Sequence, residues 1–289
     1  MVTWLLQRDI FNEGNPETIA EIETAKGNEV LWLDYIPFGG MESIPVIRDL
    51  VADKKMRCTV AYGSIQLLKV LCSKLVNHYP LAWFEPNALK CSTYYSRWGA
   101  YVTQQRCVFT TWAELGRKSS YLYRLFSEDD CIFVRPNSNL KLFTGTIVPF
   151  EEFEKWYSQT TDCYSPEPDE LVVVAKPLHI LAESRFVIVD TQVVTGTLYK
   201  ENGRLTEGSA RRNVDVAAMD FAKKIANDKW GPASAYVADV ALTMTARGPK
   251  YSLLEIGSVN CAGLYGCDLE RFTTEIDRIA VREFKEMSG

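Results

Sequence analysis

Apolar and polar positions divide the chain into two textures. Residues 2–7 read as a short buried strand, followed by Asn15-Pro16-Glu17, which supplies a cap, a proline in the first turn and an early acid. A helix to about residue 26 is predicted, then strands over 30–33 and 58–62, and a helical period over 65–76 that begins just after Gly63-Ser64. Strands alternating with helices predict an α/β domain. Between residues 79 and 106 the pattern gives way to aromatic and polar residues, including Tyr94, Tyr95 and Trp98. The domain boundary is placed at its end, giving an N-terminal α/β domain over 1–105.

The second domain, 106–289, opens with a capping pattern, Thr111 with Glu114 three residues on, that predicts a helix to about residue 126. From Cys131 the texture becomes β, rich in Val, Ile, Phe and Thr, with strands expected over 131–136, 144–148, 171–175, 185–189 and 192–199. Asn213 caps an expected helix to about 228. Strands over 235–243 and 251–259 flank a turn at Ala246-Arg247-Gly248-Pro249, and a helix over 269–287 follows. This half reads as α+β with antiparallel sheets.

Composition narrows the function. The chain is 47% hydrophobic with a formal net charge of −5 and no dense basic block, which argues against a long nucleic acid as the main partner. Eight cysteines without a C-x-x-C pair, and two histidines far apart, argue against zinc and for buried thiols in a reducing compartment. The first residues carry no basic segment leading into a long apolar run, and nowhere do about 18 apolar residues occur together, so a cytoplasmic protein with no membrane partner is expected.

Several nucleotide signatures are missing. Gly116-Arg117-Lys118-Ser119 imitates the tail of a phosphate loop without its earlier glycine, and neither G-x-G-x-x-G nor H-R-D nor K-x-D-G occurs. What stands out is charge inside strands that otherwise look buried, where an unpartnered charge is costly. Arg135 ends Ile132-Phe133-Val134, and Lys141 follows after a polar turn. The two cations are either a solvated edge pair or a cradle for phosphates. Glu183 and Arg185 share a strand face by period two, so they form either a local ion pair or part of a nucleotide site. Val172-Val173-Val174-Ala175-Lys176-Pro177 is a strand halted by proline.

Asp239 and Glu255 each interrupt an apolar strand, and Asn260 lies five residues beyond Glu255. Two acids and an amide oxygen are hard ligands of the kind Mg²⁺ takes. No lysine or arginine neighbours either acid within its own strand. A turn centred on Arg247 would set the acids opposite one another, where like charges repel, so neutralising one should keep or raise stability without metal.

Taken in order, Phe133-Val134-Arg135-Pro136 with Lys141-Leu142-Phe143-Thr144-Gly145, Glu183-Ser184-Arg185-Phe186-Val187, Tyr236-Val237-Ala238-Asp239-Val240, Leu254-Glu255-Ile256 and Asn260-Cys261-Ala262-Gly263-Leu264-Tyr265 resemble the ATP-grasp superfamily. More narrowly, the set is similar to the compact ATP-grasp proteins of bacterial and phage genomes. The resemblance implies an ATP-grasp domain over 106–289 and cofactors ATP and Mg²⁺. It implies Arg135 and Lys141 at the phosphates, Lys176 at an adenine hinge, Glu183 and Arg185 along the nucleotide, and Asp239, Glu255 and Asn260 around the metal. Arg185 and Lys141 are then the catalytic candidates.

Many relatives carry Asn two residues after the metal-binding Glu, where this chain has Gly257. The implied reaction joins a carboxylate to an amine through an acyl phosphate with release of ADP, on a small-molecule or peptide substrate, with Arg211, Arg212 and Tyr265 as candidate grips for the acceptor. Ligation of nucleic-acid ends, another phosphoryl transfer and a non-catalytic ATP-binding module are the alternatives.

Overall fold

The computed structural model describes residues 1–8, 10, 14–34, 44–140, 142–206, 213–246 and 248–289. Two compact units are assembled from separated stretches: residues 1–84, 182–240 and 256–289 form one, residues 85–181 and 241–255 the other.

The first unit begins with β1 (Thr3–Gln7), α1 (Asn15–Ala25), β2 (Glu29–Leu33), α2 (Pro45–Ala52), β3 (Arg57–Tyr62), α3 (Ile65–Lys74) and β4 (His78–Leu81). The strands form a sheet in the order β2-β1-β3-β4, with every pairing parallel. Successive side chains leave opposite faces. Trp4, Leu6, Val60 and Tyr62 enter one core with Ile19 of α1, while Leu5, Leu33 and Ala61 enter another with Leu50 of α2 and Leu67 and Leu71 of α3. A parallel sheet covered on both faces needs nearly continuous apolar strands, which is why β1 and β3 are legible in the sequence. Its pattern does not disclose α2, which buries only Ile47 and Leu50, or β4, which pairs with β3 alone.

The second unit holds α4 (Cys91–Trp98), β5 (Cys107–Thr111), α5 (Trp112–Arg117), α6 (Ser119–Phe126), β6 (Cys131–Pro136), β7 (Thr146–Pro149), α7 (Phe153–Tyr164) and β8 (Leu171–Ala175). Its antiparallel sheet runs β5-β8-β6-β7. Ile132, Val134, Val172 and Val174 enter a core with Trp112, Leu115, Leu122 and Phe153. By alternation Phe133, Arg135, Val173 and Ala175 take the other face, where Arg135 lies opposite Val173 and Phe133 opposite Ala175. The expected cap is present, since Thr111 Oγ1 accepts from the Glu114 N–H at 3.2 Å, but the expected helix is two, parted at Lys118.

The remaining elements are β9 (Ile180–Val189), β10 (Gln192–Glu201), β11 (Arg204–Leu205), α8 (Val216–Ala226), β12 (Ala235–Thr245), β13 (Gly248–Ser258) and α9 (Leu269–Ser288). The strands form a sheet in the order β11-β10-β9-β12-β13. Val187, Val189 and Val237 join the core that holds Trp4, and α9 closes it with Phe272, Ile276 and Ile279. Each such fully buried side chain is worth roughly 1.5–3 kcal/mol. The cap of α8 is Asp215, whose carboxylate accepts from the Ala217 N–H at 2.7 Å, so the helix starts later than Asn213 suggested. Among the described residues, no helix is long and apolar enough to cross a membrane.

Candidate nucleotide and metal site

In the second unit, β8 places β6 in register and so fixes Arg135 on the face away from the core. Its Nη2 donates to Glu255 Oε2 at 3.0 Å and its Nη1 reaches the Leu254 carbonyl at 3.5 Å. The strand then ends on buried Asn137, whose Oδ1 accepts from the Ser92 N–H at 2.7 Å and whose carbonyl accepts from the Cys91 N–H at 2.9 Å. This anchors α4, whose Tyr94 lies beside Arg135 together with Tyr95. Burial pushes both phenols up, so they are uncharged neighbours of the guanidinium. Lys176 follows β8 and pairs with Glu128 at 3.0 Å, with both side chains about half exposed. Lys141 lies outside the described residues.

In the first unit, Arg185 of β9 holds Asp239 of β12 through two parallel hydrogen bonds, Nε to Oδ1 at 2.8 Å and Nη2 to Oδ2 at 2.7 Å, while Nη1 donates to the Gly263 carbonyl at 2.7 Å. Both partners are buried, the setting in which a fork-to-fork pair is strongest. Glu183 is not the local partner of Arg185. Instead its Oε1 is 2.8 Å from Lys200 Nζ and its Oε2 accepts from the Tyr199 hydroxyl at 2.6 Å. Tyr199 stacks on Tyr265 with centroids 4.7 Å apart and planes 7° apart, and the Arg185 guanidinium carbon is 5.3 and 5.1 Å from the two rings.

Asn260 occupies a different setting. Its Oδ1 accepts from the Trp83 N–H at 2.8 Å, its Nδ2 donates to the Ala61 carbonyl at 2.7 Å, and its own carbonyl accepts from the Gly63 N–H at 2.9 Å. The amide thus ties the loop after β13 to the end of β3. Arg211, Arg212 and Arg247 lie outside the described residues.

The carboxylates that lack a cation within their own strands therefore have arginines from other strands, Arg185 for Asp239 and Arg135 for Glu255. Among the described residues no group of three or more His, Cys, Asp or Glu side chains gathers. Mg²⁺ is commonly held by one or two carboxylates with phosphate oxygens and water, so the hard oxygens of Asp239 and Glu255 fit such an ion by their chemistry. Sequence reasoning passes over Tyr199 and Lys200. A signal is available in Leu198-Tyr199-Lys200, where two apolar residues and a cation break the alternation of β10.

The profile of an ATP-grasp domain, the second family of its clade, matches residues 103–274. No curated protein sequence matches the chain. Solved structures share the fold at low identity. The D-cycloserine synthetase DcsG superposes with TM-score 0.62 and 11% identity, covering 97% of this chain and 100% of that one. D-alanine–D-alanine ligase from Bacillus anthracis, solved with ATP, gives TM-score 0.57 and 13% identity over 99% of both chains. N5-carboxyaminoimidazole synthetase from Staphylococcus aureus, solved with ADP, gives TM-score 0.56 and 12% identity over 96% of this chain and 76% of that one. With more than half of its length inside the profile match, the chain belongs to this family of ATP-grasp domains.

Proposed function

We propose that this chain is an ATP-dependent ligase that joins a carboxylate to an amine through an acyl phosphate. The observation that carries the reading is the pairing of arginine with acid on strands of both units: Arg135 with Glu255, and Arg185 with Asp239. An arginine held by a carboxylate is stored in a charged, oriented state, ready for a phosphate that brings its own counter-charge. Ligases recur among the structural relatives, including D-alanine–D-alanine ligase and PsnB, the latter solved with a minimal precursor (TM-score 0.54, 11% identity).

In this reading Arg135, Arg185 and Lys141 hold the phosphates, the strand end at Lys176 meets the adenine, and Glu183 orients Lys200 and Tyr199 beside the nucleotide. Asp239 and Glu255 would hold Mg²⁺, with the Asn260 amide as the third ligand or replaced by water. The bound ion would neutralise charge on the phosphates. A carboxylate oxygen of the substrate, a small molecule or a peptide, attacks the γ-phosphorus and the bond to the β-phosphate oxygen breaks, so ADP leaves. The amine nitrogen then attacks the acyl carbon, phosphate departs and the nitrogen loses a proton. Catalysis of this kind rests on positioning and charge stabilisation rather than on a protein nucleophile.

Incubation of the protein and Mg²⁺-ATP with pooled amino acids and amines tests the reading. ADP together with a new amide is expected. AMP instead of ADP would redirect the chemistry to adenylyl transfer, as in nucleic-acid end joining, and ATP binding without turnover across a wide pool would favour a non-catalytic module.

A further inference from the structure

Strand β10 carries an irregularity at the residue that sequence reasoning passes over. Thr197 faces Arg185 and Leu198 faces Ser184, but Glu183 faces Lys200, so Tyr199 is an extra residue in a β-bulge. In a regular strand Tyr199 and Lys200 would leave opposite faces. Here both reach Glu183, the Tyr199 hydroxyl donating to one oxygen at 2.6 Å and Lys200 Nζ lying 2.8 Å from the other. The same hydroxyl is 3.4 Å from Asp239 Oδ2. One O–H serves one acceptor at a time, so it stands between two carboxylates and can turn to either. The stack on Tyr265 fixes the ring. Burial, and after it the charge of Asp239, push the phenol well above its ordinary value, which keeps the proton in place.

We propose that Tyr199 is a positioning residue of the ATP-dependent reaction. Its hydroxyl steadies Glu183 and Asp239 so that Asp239 can turn from Arg185 to Mg²⁺ when phosphates occupy Arg185. The proposal rests on the reading of this site as the nucleotide and metal site. It differs from a purely structural role in one respect: the hydroxyl should matter for the gain in ATP affinity that Mg²⁺ brings, and little for ATP alone.

Calorimetric titration of ATP with Mg²⁺ and with EDTA, on the wild type, Tyr199→Phe and Tyr265→Leu, measures that gain. A hydrogen bond to a charged group corresponds to about a tenfold effect. Tyr199→Phe should lower the ratio of the two affinities by about tenfold and leave Mg²⁺-free ATP binding within about twofold. Tyr265→Leu, which keeps the hydroxyl but frees the ring, should shift the ratio in the same direction by less. A wild-type ratio in Tyr199→Phe, or an equal loss of both affinities, overturns the assignment. If the wild type binds no ATP, or binds it equally well with and without Mg²⁺, the nucleotide and metal reading fails first and the role of Tyr199 with it.

Discussion

Arg185 and Asp239 stand 54 residues apart in the chain and share two hydrogen bonds of 2.8 and 2.7 Å inside the first unit. By its sequence context Asp239 is an acid whose neutralisation should relieve repulsion. The pairing reverses that sign. Asp239→Asn leaves a buried guanidinium without its counter-charge, a change that commonly costs about 3–5 kcal/mol, so the metal-free variant should melt well below the wild type. The same variant frees Arg185 for a phosphate and should bind Mg²⁺-free ATP more tightly than the wild type does. An unchanged melting temperature would mean that the pair contributes nothing to the folded state.

Asn260→Ala separates scaffolding from metal binding. The amide joins Trp83 and Ala61 from within the core, and its loss strands a buried donor and a buried acceptor at about 1–3 kcal/mol each. A lower melting temperature is expected in EDTA. Were Asn260 chiefly a metal ligand, the variant would melt like the wild type until Mg²⁺-ATP is added.

Lys176→Ala should leave stability almost unchanged, because its ion pair with Glu128 is half exposed and such pairs are worth about 0–1 kcal/mol. If the strand end meets adenine through its backbone, ATP affinity should also stay within about threefold, or about 0.7 kcal/mol. A loss of tenfold or more in equilibrium binding would assign the ammonium itself to the nucleotide.

A fourth expectation concerns pH. Asp277 of α9 accepts from Trp4 Nε1 at 3.0 Å and from Asn28 Nδ2 at 3.1 Å, and lies 3.4 Å from Lys26 Nζ, which also holds buried Glu23 at 2.7 Å. Burial first, and then the neighbouring Glu23, raise the Asp277 carboxyl from 3.8 to about 6. Between those values the folded state binds more protons than the unfolded one, so stability falls as pH rises from about 4 to about 6 and then levels. Denaturant melts across that window should show the fall, and Asp277→Asn should flatten it.

The sequence discloses the elements better than their partners. β1, β3, β8 and α9 are legible because burial imposes a run or a period on them. α4 is not, although Cys91, Tyr94 and Trp98 recur at helical spacing, because its aromatic and polar composition resembles a loop. β5 reads as the approach to a capped helix, although Cys107–Thr111 pairs along its whole length with β8. Site residues Arg135, Arg185, Asp239 and Glu255 are visible as charges inside apolar strands. Which acid meets which arginine is not visible, because it depends on which strands lie side by side. The bulge at Tyr199 is hidden for a related reason: an extra residue in one strand can be recognised only against the strand it faces.

The reach of Trp4 to Asp277 across 273 residues bears on how the protein is made. A ribosome delivers β1 and α1 first, yet the core they share with Phe272, Ile276 and Ile279 cannot close until the last helix has left the exit tunnel. At about 5–20 residues per second, that leaves roughly 13–54 s in which Trp4 and Leu6 lack part of their cover. Residues 85–181, by contrast, hold the whole of the core around Trp112 and Phe153 and can collect it while synthesis continues. The order of assembly is thus the reverse of the order of translation, with the first-made sheet among the last parts to be sealed.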